Sequence, residues 1–254
     1  MGTHILTPWP GMAEIIGSTG EVDYIQFIAE YAPFDLFTLE NIASRCDNVG
    51  ISSVIKIDQE PRKFLAQRGL GSGMQGVLFA DVRTVEDAEE CVAAVKMETP
   101  KLRGNHGCHG RRSVGYIVEG GTKAYMDSTD EAVIMFMIEK KPALDNLKEI
   151  LSVKGIDMVT FGPCDYSISI GLPFSPNHPK VKEAELKVFK TAIDMGIRPR
   201  AELQWGWTDK QLQKYLDLGV IDFCNGLDVD LVYNWIKDNM PPVRKSILKK
   251  INKS

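Results

Sequence analysis

Residues 133–165, VIMFMIEKKPALDNLKEILSVKGIDMVTFGPCD, carry a pattern that repeats along the whole chain. The stretch begins with the apolar run Val133–Ile138 and contains a second run, Met158–Phe161, near its end. Short continuous runs of this kind are typical of strands that are buried on both faces of a parallel sheet. Between the runs, apolar residues recur at helical spacing, at Leu144, Leu147, Ile150 and Leu151. The stretch therefore predicts a strand, an amphipathic helix and a second parallel strand.

The same alternation extends towards both ends of the chain. Six further apolar runs are found at Ile5–Leu6, Tyr24–Ile28, Ser53–Ile57, Gly76–Val82, Arg200–Leu203 and Ile221–Cys224. Eight strands that alternate with helices predict an α/β protein with the (β/α)8 TIM barrel fold. Such a barrel needs about 250 residues, so residues 1–254 are expected to form a single domain.

A doubly wound open sheet is the alternative arrangement of these strands. That fold places a GxGxxG motif directly after its first strand, and the chain has no such motif there. Gly69, Gly71 and Gly73 lie too close together to form it, and we expect them in a loop that leads into the strand at Gly76. The glycine pattern therefore favours the barrel.

The composition predicts a soluble cytoplasmic protein. Charged residues make up 25% and hydrophobic residues 44% of the chain, which are ordinary fractions for globular proteins. The formal net charge of −4 argues against a nucleic-acid partner. No apolar stretch approaches the roughly 20 residues of a membrane span, and we expect no signal peptide. The five cysteines are scattered without a CxxC pair, which indicates free thiols in a reducing compartment.

Polar residues follow the predicted strands, at the end where barrel enzymes carry their active sites. They are Glu30, Tyr31, Lys56, Asp58, Asp81, Arg83, Glu139, Asp165, Glu202, Gln204, Asn225 and Asp228. Glu139 and Asp165 follow neighbouring strands, so we expect their carboxylates side by side. Mg²⁺ commonly binds through one or two carboxylates together with substrate oxygens. A lone carboxylate here is more often a rim residue or half of an ion pair, but the two together predict a divalent metal site.

The turn Gly162-Pro163-Cys164-Asp165 lies beside this pair. A short helix is expected to follow the turn, and the N–H groups at a helix start can bind an anion. The carboxylate of a small 2-oxo acid suits that position. Asp165 is also an ordinary N-cap residue for such a helix, and the two roles are compatible.

These residues resemble the HpcH/HpaI family, the class II metal-dependent pyruvate aldolases that include 2,4-dihydroxyhept-2-ene-1,7-dioic acid aldolases. Met137-Ile138-Glu139 is similar to the family's QIE pattern, and Gly162-Pro163-Cys164-Asp165-Tyr166-Ser167 is similar to its GPxDLS pattern. Glu30-Tyr31-Ala32-Pro33 resembles its EHxP motif. The resemblance covers most of the chain, from about Gly2 to Asp228.

The resemblance implies an aldolase that cleaves a 4-hydroxy-2-oxo acid to pyruvate and an aldehyde through an enolate. It implies a divalent metal (Mg²⁺, Mn²⁺ or Co²⁺) on Glu139 and Asp165. It also implies that the turn at Gly162, Pro163 and Cys164 binds the carboxylate of the 2-oxo acid. Family members are typically homo-oligomers, mostly hexamers, that exchange a C-terminal helix. The amphipathic segment 229–254 matches that helix and is expected to pack on a neighbouring subunit.

Three departures from the family concern groups that contact the substrate. Tyr31 stands in place of the family's histidine, Lys56 in place of an arginine, and Met137 in place of a glutamine. Tyrosine is a poor base at neutral pH, lysine presents a point charge instead of a planar fork, and methionine cannot donate a hydrogen bond. We therefore expect the enolate half of the site to be retained. We expect the proton-transfer half to be rebuilt, with Tyr31 and Lys56 as catalytic residues and Met137 against the substrate.

A long excursion from Met97 to Glu131, rich in Gly, His and Arg, separates the fourth and fifth strands. Long connections in barrels are often functional, so we expect this one to fold over the barrel mouth. His106 would then supply the acid/base group and Arg111 would bind a second carboxylate, with His109 and Arg112 as further candidates. A mobile surface loop with solvated charges is the alternative. His4, at the end of the first strand, is another histidine expected at the mouth.

Three functions are compatible with these features. The first is the lyase described above. The second uses the same enolate with a different partner, as a synthase or a citrate-lyase-like enzyme, and is motivated by Tyr31, Lys56 and Met137. The third is a non-catalytic barrel that binds a 2-oxo acid. Metal-dependent exchange of the protons next to the keto group separates the two enzymes from the binding protein.

Overall fold

The chain alternates strands and helices along almost its entire length. The computed structural model describes residues 1–108, 112, 116, 118, 120–203 and 207–252. The strands are β1 (Gly2–Ile5), β2 (Tyr24–Ile28), β3 (Ser52–Ile57), β4 (Gly76–Phe79), β5 (Val133–Ile138), β6 (Met158–Phe161), β7 (Arg198–Ala201) and β8 (Asp222–Leu227). The helices are α1 (Gly11–Gly17), α2 (Leu36–Asn48), α3 (Arg62–Gly71), α4 (Val85–Val95), α5 (Lys123–Asp130), α6 (Lys141–Asp145), α7 (Leu147–Leu151), α8 (Pro163–Ser169), α9 (Pro179–Asp194), α10 (Asp209–Leu218) and α11 (Asp228–Ile251).

The strands form one closed parallel barrel. Each strand pairs with the next along the chain, and β8 pairs with β1 to close the ring. All of these pairs are parallel. The predicted TIM barrel is confirmed, and each of the predicted apolar runs overlaps a strand or ends directly after one.

The core has two parts because successive side chains of a strand point to opposite faces. Along β5, Ile134, Phe136 and Ile138 belong to the large cluster between the barrel and its helices. Met135 and Met137 alternate with them and belong to a small cluster inside the barrel. Glu139 continues this second series by one step beyond the end of β5. The alternation of the sequence therefore directs the Glu139 carboxylate towards the barrel interior.

Glycines have two different roles around the helices. Gly155, Gly196 and Gly219 have φ angles of 103°, 76° and 96°, the left-handed conformation that commonly follows a helix. The expectation of a loop at Gly69 and Gly71 is wrong, because both residues lie in α3. A Cβ atom on Gly69 would lie 2.9 Å from Cγ2 of Ile55. The glycine lets the helix pack closely on β3.

The helix predicted between β5 and β6 is divided into α6 and α7. The residue between them, Asn146, has φ −102° and ψ 22°, outside the helical range. The apolar residues of the predicted stripe are nevertheless buried on both segments, namely Leu144, Leu147, Ile150 and Leu151. The pattern predicted the buried face correctly but missed the break.

The described residues at both ends of the excursion between Met97 and Glu131 lie at the amino-terminal end of the barrel, so the prediction that the excursion folds over the mouth is wrong for this part of it. It follows α4, and a helix after a barrel strand runs back to the end where the strands begin. Its contacts agree with this position. The Lys96 ammonium donates to the carbonyl of Asp130, just before β5 begins. Arg112 forms an ion pair with Asp47, at the end of α2.

The C-terminal helix α11 is fixed to the barrel at its first turn. Buried Asp228 accepts hydrogen bonds from the backbone N–H groups of Leu6 and Thr7, at 3.0 and 2.9 Å. Beyond that turn the helix exposes a long apolar series: Val229, Leu231, Val232, Tyr233, Trp235, Ile236, Met240, Val243, Ile247, Leu248 and Ile251. In the part of the chain that the structure describes, neither α11 nor any other helix is long and apolar enough to cross a membrane.

Candidate active site

A cavity of about 980 Å³ opens at the carboxyl-terminal ends of the strands. Its polar lining residues are His4, Gln26, Lys56, Glu202, Asn225 and Asp230. Its apolar wall includes Ile28, Met137, Phe174, Pro176, Leu203, Trp207, Leu227 and Leu231. Tyr31, Cys164, Cys224 and Gly226 complete the lining. A polar floor under an apolar wall is typical of a site that orients a small molecule by a few fixed groups.

Glu139 follows the cavity-lining Met137 in the inward series of β5, and it is held by the segment that follows β4. Its side chain is almost fully buried, and its Oε1 accepts a hydrogen bond from the backbone N–H of Asp81 at 2.8 Å. Asp81 has a φ of 57°, unusual for a residue other than glycine. Arg83 donates two hydrogen bonds to the Asp81 carboxylate, at 2.8 and 2.6 Å. This arrangement fixes the N–H that orients Glu139.

Burial is the main influence on the charge of Glu139. It raises the pKa of this carboxyl to about 7, although Lys56 and the N–H of Asp81 act in the opposite direction. Asp165 and Glu30 add to the increase by repulsion. A carboxyl in such surroundings favours a nearby positive charge, as a cation-binding group does.

Gly162 leaves no free space beside Glu139. A Cβ atom on this glycine would lie 2.7 Å from both Cβ and Oε2 of Glu139, and 3.2 Å from Sδ of Met137. The two distances of 2.7 Å are shorter than real Cβ contacts, and the distance of 3.2 Å is tighter than most. The φ of Gly162 is −97°, which other residues adopt easily, so the need for glycine here is steric. The turn before α8 therefore packs directly on the Glu139 carboxylate.

Asp165 lies in the first turn of α8 and is paired with a lysine. Its Oδ1 accepts a hydrogen bond from Nζ of Lys140 at 2.6 Å, and the side chains of Lys140 and Asp165 are 23% and 42% exposed. Asp165 raises the pKa of Glu139 by its charge, which indicates that the two carboxylates are close. Over the described ranges, no three His, Cys, Asp or Glu side chains gather in a way that would hold a metal ion. The oxygen donors available to a cation here are therefore the carboxylates of Glu139 and Asp165. A cation would bind both of them only if Asp165 released Lys140.

Lys56 supplies a buried positive charge between several acidic groups. Its Nζ lies 2.5 Å from Oε2 of Glu30 and 5.0 Å from the centre of the Tyr31 ring. Burial alone would lower the pKa of Lys56, but the carboxylates of Glu139 and Glu30 raise it on balance. Lys56 is therefore a fixed cation on the cavity floor, as a binding group for a carboxylate or an enolate oxygen needs to be.

Comparisons with known proteins agree with this geometry. The profile of the family described as HpcH/HpaI aldolase/citrate lyase matches residues 12–219. The chain belongs to this family. It is 28% identical over 228 residues to the hydroxypyruvate/pyruvate aldolase of Roseobacter denitrificans, covering 87% of this chain and 84% of the relative. It is 32% identical over 188 residues to the 2-keto-3-deoxy-L-rhamnonate aldolase of Escherichia coli K12, covering 72% of this chain and 65% of the relative.

A solved structure supports the assignment. The HpcH/HpaI aldolase from Desulfitobacterium hafniense DCB-2 superposes with a TM-score of 0.84 at 26% identity, covering 96% of this chain and 92% of that one. Family membership confirms the HpcH/HpaI resemblance and the prediction of a carbon–carbon lyase.

In this HpcH/HpaI enzyme, four of the ten site residues predicted from sequence line one cavity. Tyr31, Lys56, Met137 and Cys164 line it, and Gly162 packs between Glu139 and Met137. Pro163 is the first residue of α8. Tyr31 is 61% exposed, and partial burial raises the pKa of its phenol to about 12 even though Lys56 acts in the other direction. At neutral pH Tyr31 is protonated and can donate a hydrogen bond but cannot act as a base.

The histidine predicted in the excursion is far from the cavity. His106 is fully buried, and its backbone N–H donates to the carbonyl of Lys96 at 3.0 Å, at the end of α4. The prediction that His106 acts at the barrel mouth is wrong, because His106 is bound to the end of α4 and so lies at the opposite end of the barrel. His109 and Arg111 lie outside the described residues.

A buried polar group inside this HpcH/HpaI barrel was not predicted as part of the site. Arg200 is fully buried, and it donates to Oε1 of Gln26 at 2.6 Å and to Oε1 of Glu202 at 2.9 Å. His4 lies beside Glu202, with 3.5 Å between Nε2 and Oε1. The alternation of side chains was the available signal. Arg200 and Glu202 are two residues apart in a predicted strand, so they share a face, and Ala201 between them belongs to the outer core.

Proposed function

We propose that the protein is a metal-dependent aldolase that cleaves a 4-hydroxy-2-oxo acid to pyruvate and an aldehyde through the enolate of pyruvate. The proposal is supported by two observations: Gly162 packs directly on Glu139 beside the cavity-lining Met137, and the nearby charge of Asp165 raises the pKa of Glu139. These residues lie within the region that matches an aldolase family. The named activities of the two aldolase relatives support a 2-oxo acid as the substrate class.

The two carboxylates fit a hard divalent cation such as Mg²⁺, Mn²⁺ or Co²⁺. Such ions accept one or two protein carboxylates and complete their shell with water and substrate oxygens. Glu139 and Asp165 would hold the cation. When bound there, it would supply Lewis-acid stabilisation of the developing negative charge. Lys140 would have to release Asp165, and it is well placed to do so because its side chain is partly exposed.

The chain's own residues would bind and orient the 2-oxo acid. Lys56 offers a fixed positive charge on the cavity floor, where its ammonium group is paired with Glu30 and lies over the ring of Tyr31. Met137 and Cys164 would contact the pyruvate unit from the strand and turn that carry the two carboxylates. Interactions that strengthen as charge develops are the ones that accelerate a reaction. Lys56 is therefore expected to affect the rate as well as the binding of the acid.

Exchange of the methyl protons of pyruvate in D2O, followed by NMR, tests the enolate step. We expect exchange with Mg²⁺, Mn²⁺ or Co²⁺ and its loss in excess chelator. Glu139→Gln should abolish exchange because it removes a carboxylate from the pair. Glu185→Gln is the matched control: Glu185 is also buried, but it bonds to Lys182 and Tyr215 on the outer helices. Full exchange by the Glu139 variant, or in chelator, would contradict the proposal.

The second candidate keeps the enolate but changes the partner. The volume of about 980 Å³ extends from Met137 and Cys164 to Phe174, Trp207 and Leu231, which leaves room for more than pyruvate and a small aldehyde. A synthase or a citrate-lyase-like enzyme would use that space. Exchange in pyruvate without cleavage of any 4-hydroxy-2-oxo acid would favour it. Tight binding of a 2-oxo acid without exchange would favour the non-catalytic barrel.

We also propose that the protein is a homo-oligomer in which α11 packs on a second copy. The apolar series of this helix is exposed over its length, from Val229 to Ile251. Apolar patches of such extent on soluble proteins mark interaction sites. The start of α11 also lines the cavity through Asp230 and Leu231, so a neighbouring subunit on this helix would lie close to the site. Light scattering on the purified protein measures the number of subunits, for which the family resemblance implies six.

A further inference from the structure

His4 is the one imidazole that lines the cavity among the residues that the structure describes. It lies on β1, is 8% exposed, and its Nδ1 lies 2.9 Å from the carbonyl oxygen of Gly226. A carbonyl oxygen can only accept, so Nδ1 carries a hydrogen and donates it. The other nitrogen, Nε2, is turned towards Oε1 of Glu202 at 3.5 Å. One ring nitrogen is thus anchored by the backbone, and the other faces a carboxylate in the cavity.

A local irregularity of the barrel aims the Gly226 carbonyl at His4. Between β1 and β8, Gly2 pairs with Cys224 but His4 pairs with Leu227, so β8 contains one more residue than β1 over this interval. Gly226 lies within the interval and has a φ of 77°, which favours glycine. Bulges of this kind re-aim groups next to active sites. The contact with His4 is therefore built into the backbone and does not depend on a flexible side chain.

The charges around His4 favour the imidazolium form. Burial would lower the pKa of His4, but Cys224 and Glu202 raise it to about 10. Burial would raise the pKa of Glu202, but His4, Arg200 and Lys56 lower it to about 2. Glu202 is held from the far side by Arg200, through a hydrogen bond of 2.9 Å. At neutral pH the pair is a protonated His4 beside an ionised Glu202.

Stability alone gives little reason for this pair. The cost of removing two charges from water can exceed their mutual attraction, so buried ion pairs often contribute nothing net to folding. Perturbed ionisable groups that face a cleft are instead frequent at catalytic sites. Two other cavity groups are poorly suited to proton transfer: Lys56 is engaged by Glu30, and Tyr31 is 61% exposed at the rim.

Resting on the proposed aldolase function, we propose that His4 is a catalytic acid/base residue that exchanges a proton with the oxygen on C4 of the substrate, and that Glu202 positions it. In the direction of bond formation, C3 of the enolate attacks the aldehyde carbon. The carbonyl electron pair moves to the oxygen, and that oxygen takes the proton from Nε2. The proton that pyruvate lost on forming the enolate replaces it through solvent, so no further reactant is needed. Cleavage moves the same atoms in reverse.

The test separates enolate formation from the step assigned to His4. Wild-type protein, His4→Gln and Glu202→Gln are compared in two assays with Mg²⁺. One is exchange of pyruvate methyl protons, and the other is release of pyruvate from 4-hydroxy-2-oxopentanoate. General acid–base catalysis contributes about 10²–10⁴-fold, so His4→Gln should lower cleavage by at least about 100-fold more than it lowers exchange. His178→Gln, at the start of α9, is the matched histidine control and should leave both rates near wild type.

The double variant His4→Gln/Glu202→Gln gives a result that a purely structural role of Glu202 does not predict. If Glu202 acts through His4, the loss of cleavage in the double variant should be close to that of His4→Gln alone, because residues that act as a unit are not additive. Far-UV circular dichroism and thermal melting confirm that each variant is folded. Equal losses in both assays, or full cleavage activity of His4→Gln, would overturn the inference about His4. Absence of exchange in the wild-type protein is a different result, which overturns the proposed function itself.

Discussion

Replacement of Gly162 by alanine tests whether the carboxylate of Glu139 carries the chemistry. The added Cβ would lie 2.7 Å from Cβ and Oε2 of Glu139, while ordinary contacts begin at about 3.4 Å. Glu139 or the turn must therefore move by about 0.7 Å. Overpacking of this kind costs about 1–3 kcal/mol. In a protein of this size, that cost corresponds to a fall in Tm of about 2–12 °C.

The effect on the reaction should be larger than the effect on stability. A misplacement of about 1 Å at a reacting group can cost about 100-fold in rate. We therefore expect Gly162→Ala to lower metal-dependent exchange of pyruvate protons by one to two orders of magnitude, at a temperature well below its Tm. The measurement is the exchange rate by NMR, with Tm from circular dichroism on the same preparation.

A second glycine provides the control. Gly71 ends α3, has no atom within 4 Å of the position its Cβ would take, and lacks a positive φ. Gly71→Ala should leave exchange unchanged and raise stability by about 0.4–1 kcal/mol, because alanine restricts the unfolded chain. Wild-type exchange in a folded Gly162→Ala protein would refute the reasoning, since Glu139 would then tolerate displacement. A lower Tm with full exchange would mean that Glu139 is structural.

Three further predictions concern the metal, the pH and the assembly. Lys140→Ala should tighten Mn²⁺ binding by about 1.4- to 5-fold in calorimetry, because a partly exposed ion pair worth about 0.2–1 kcal/mol no longer competes for Asp165. Lys141→Ala, which breaks an ion pair with Asp145, is the control. Weaker Mn²⁺ binding by the Lys140→Ala protein would contradict the prediction. The pKa of Glu202 is lowered from 4.5 to about 2, so its contribution to stability is present above pH 4.5 and lost as the pH falls towards 2. The Tm of Glu202→Gln should therefore fall less than the Tm of the wild-type protein over that pH interval. An equal fall in both proteins would argue against the lowered pKa. Trp235→Asp, on the exposed face of α11, should lower the mass measured by light scattering, and an unchanged mass would exclude that part of the helix from the interface.

The repeating strands of this barrel were predictable because burial on both faces leaves a plain trace in the sequence. Val133–Ile138 and Met158–Phe161 match β5 and β6 without error. The same period also predicts that Glu139 lies inside the barrel, because it is the next residue after Met135 and Met137 in the inward series. These features depend only on neighbours along the chain and on one rule of alternation.

The errors have two physical causes. His106 was placed at the mouth because its surroundings are rich in glycine and histidine, although a connection that follows a helix belongs to the amino-terminal end of the barrel. The composition of a connection does not indicate at which end of a barrel it lies, whereas the element that it follows does. Arg200 and Glu202 were missed as a pair because charged residues in and directly after a four-residue strand suggest a rim, whereas Arg200 is fully buried. Its burial depends on Gln26 and Glu202 together, and Gln26 lies on a distant part of the chain.

The barrel also explains how a catalytic group can change strand without a change of fold. All strand ends meet around one cavity, so a histidine on β1 reaches the same space as a residue at position 31, directly after β2. The carboxylate pair is less free to move, because Gly162 permits the turn before α8 to touch Glu139 and only neighbouring strands provide that contact. His4 needs only a carbonyl to fix its ring and a carboxylate to face it, and the bulge at Gly226 and the end of β7 provide both. In this protein, therefore, the part of the site that stabilises the enolate is expected to tolerate few substitutions, and the part that transfers protons is expected to vary among relatives.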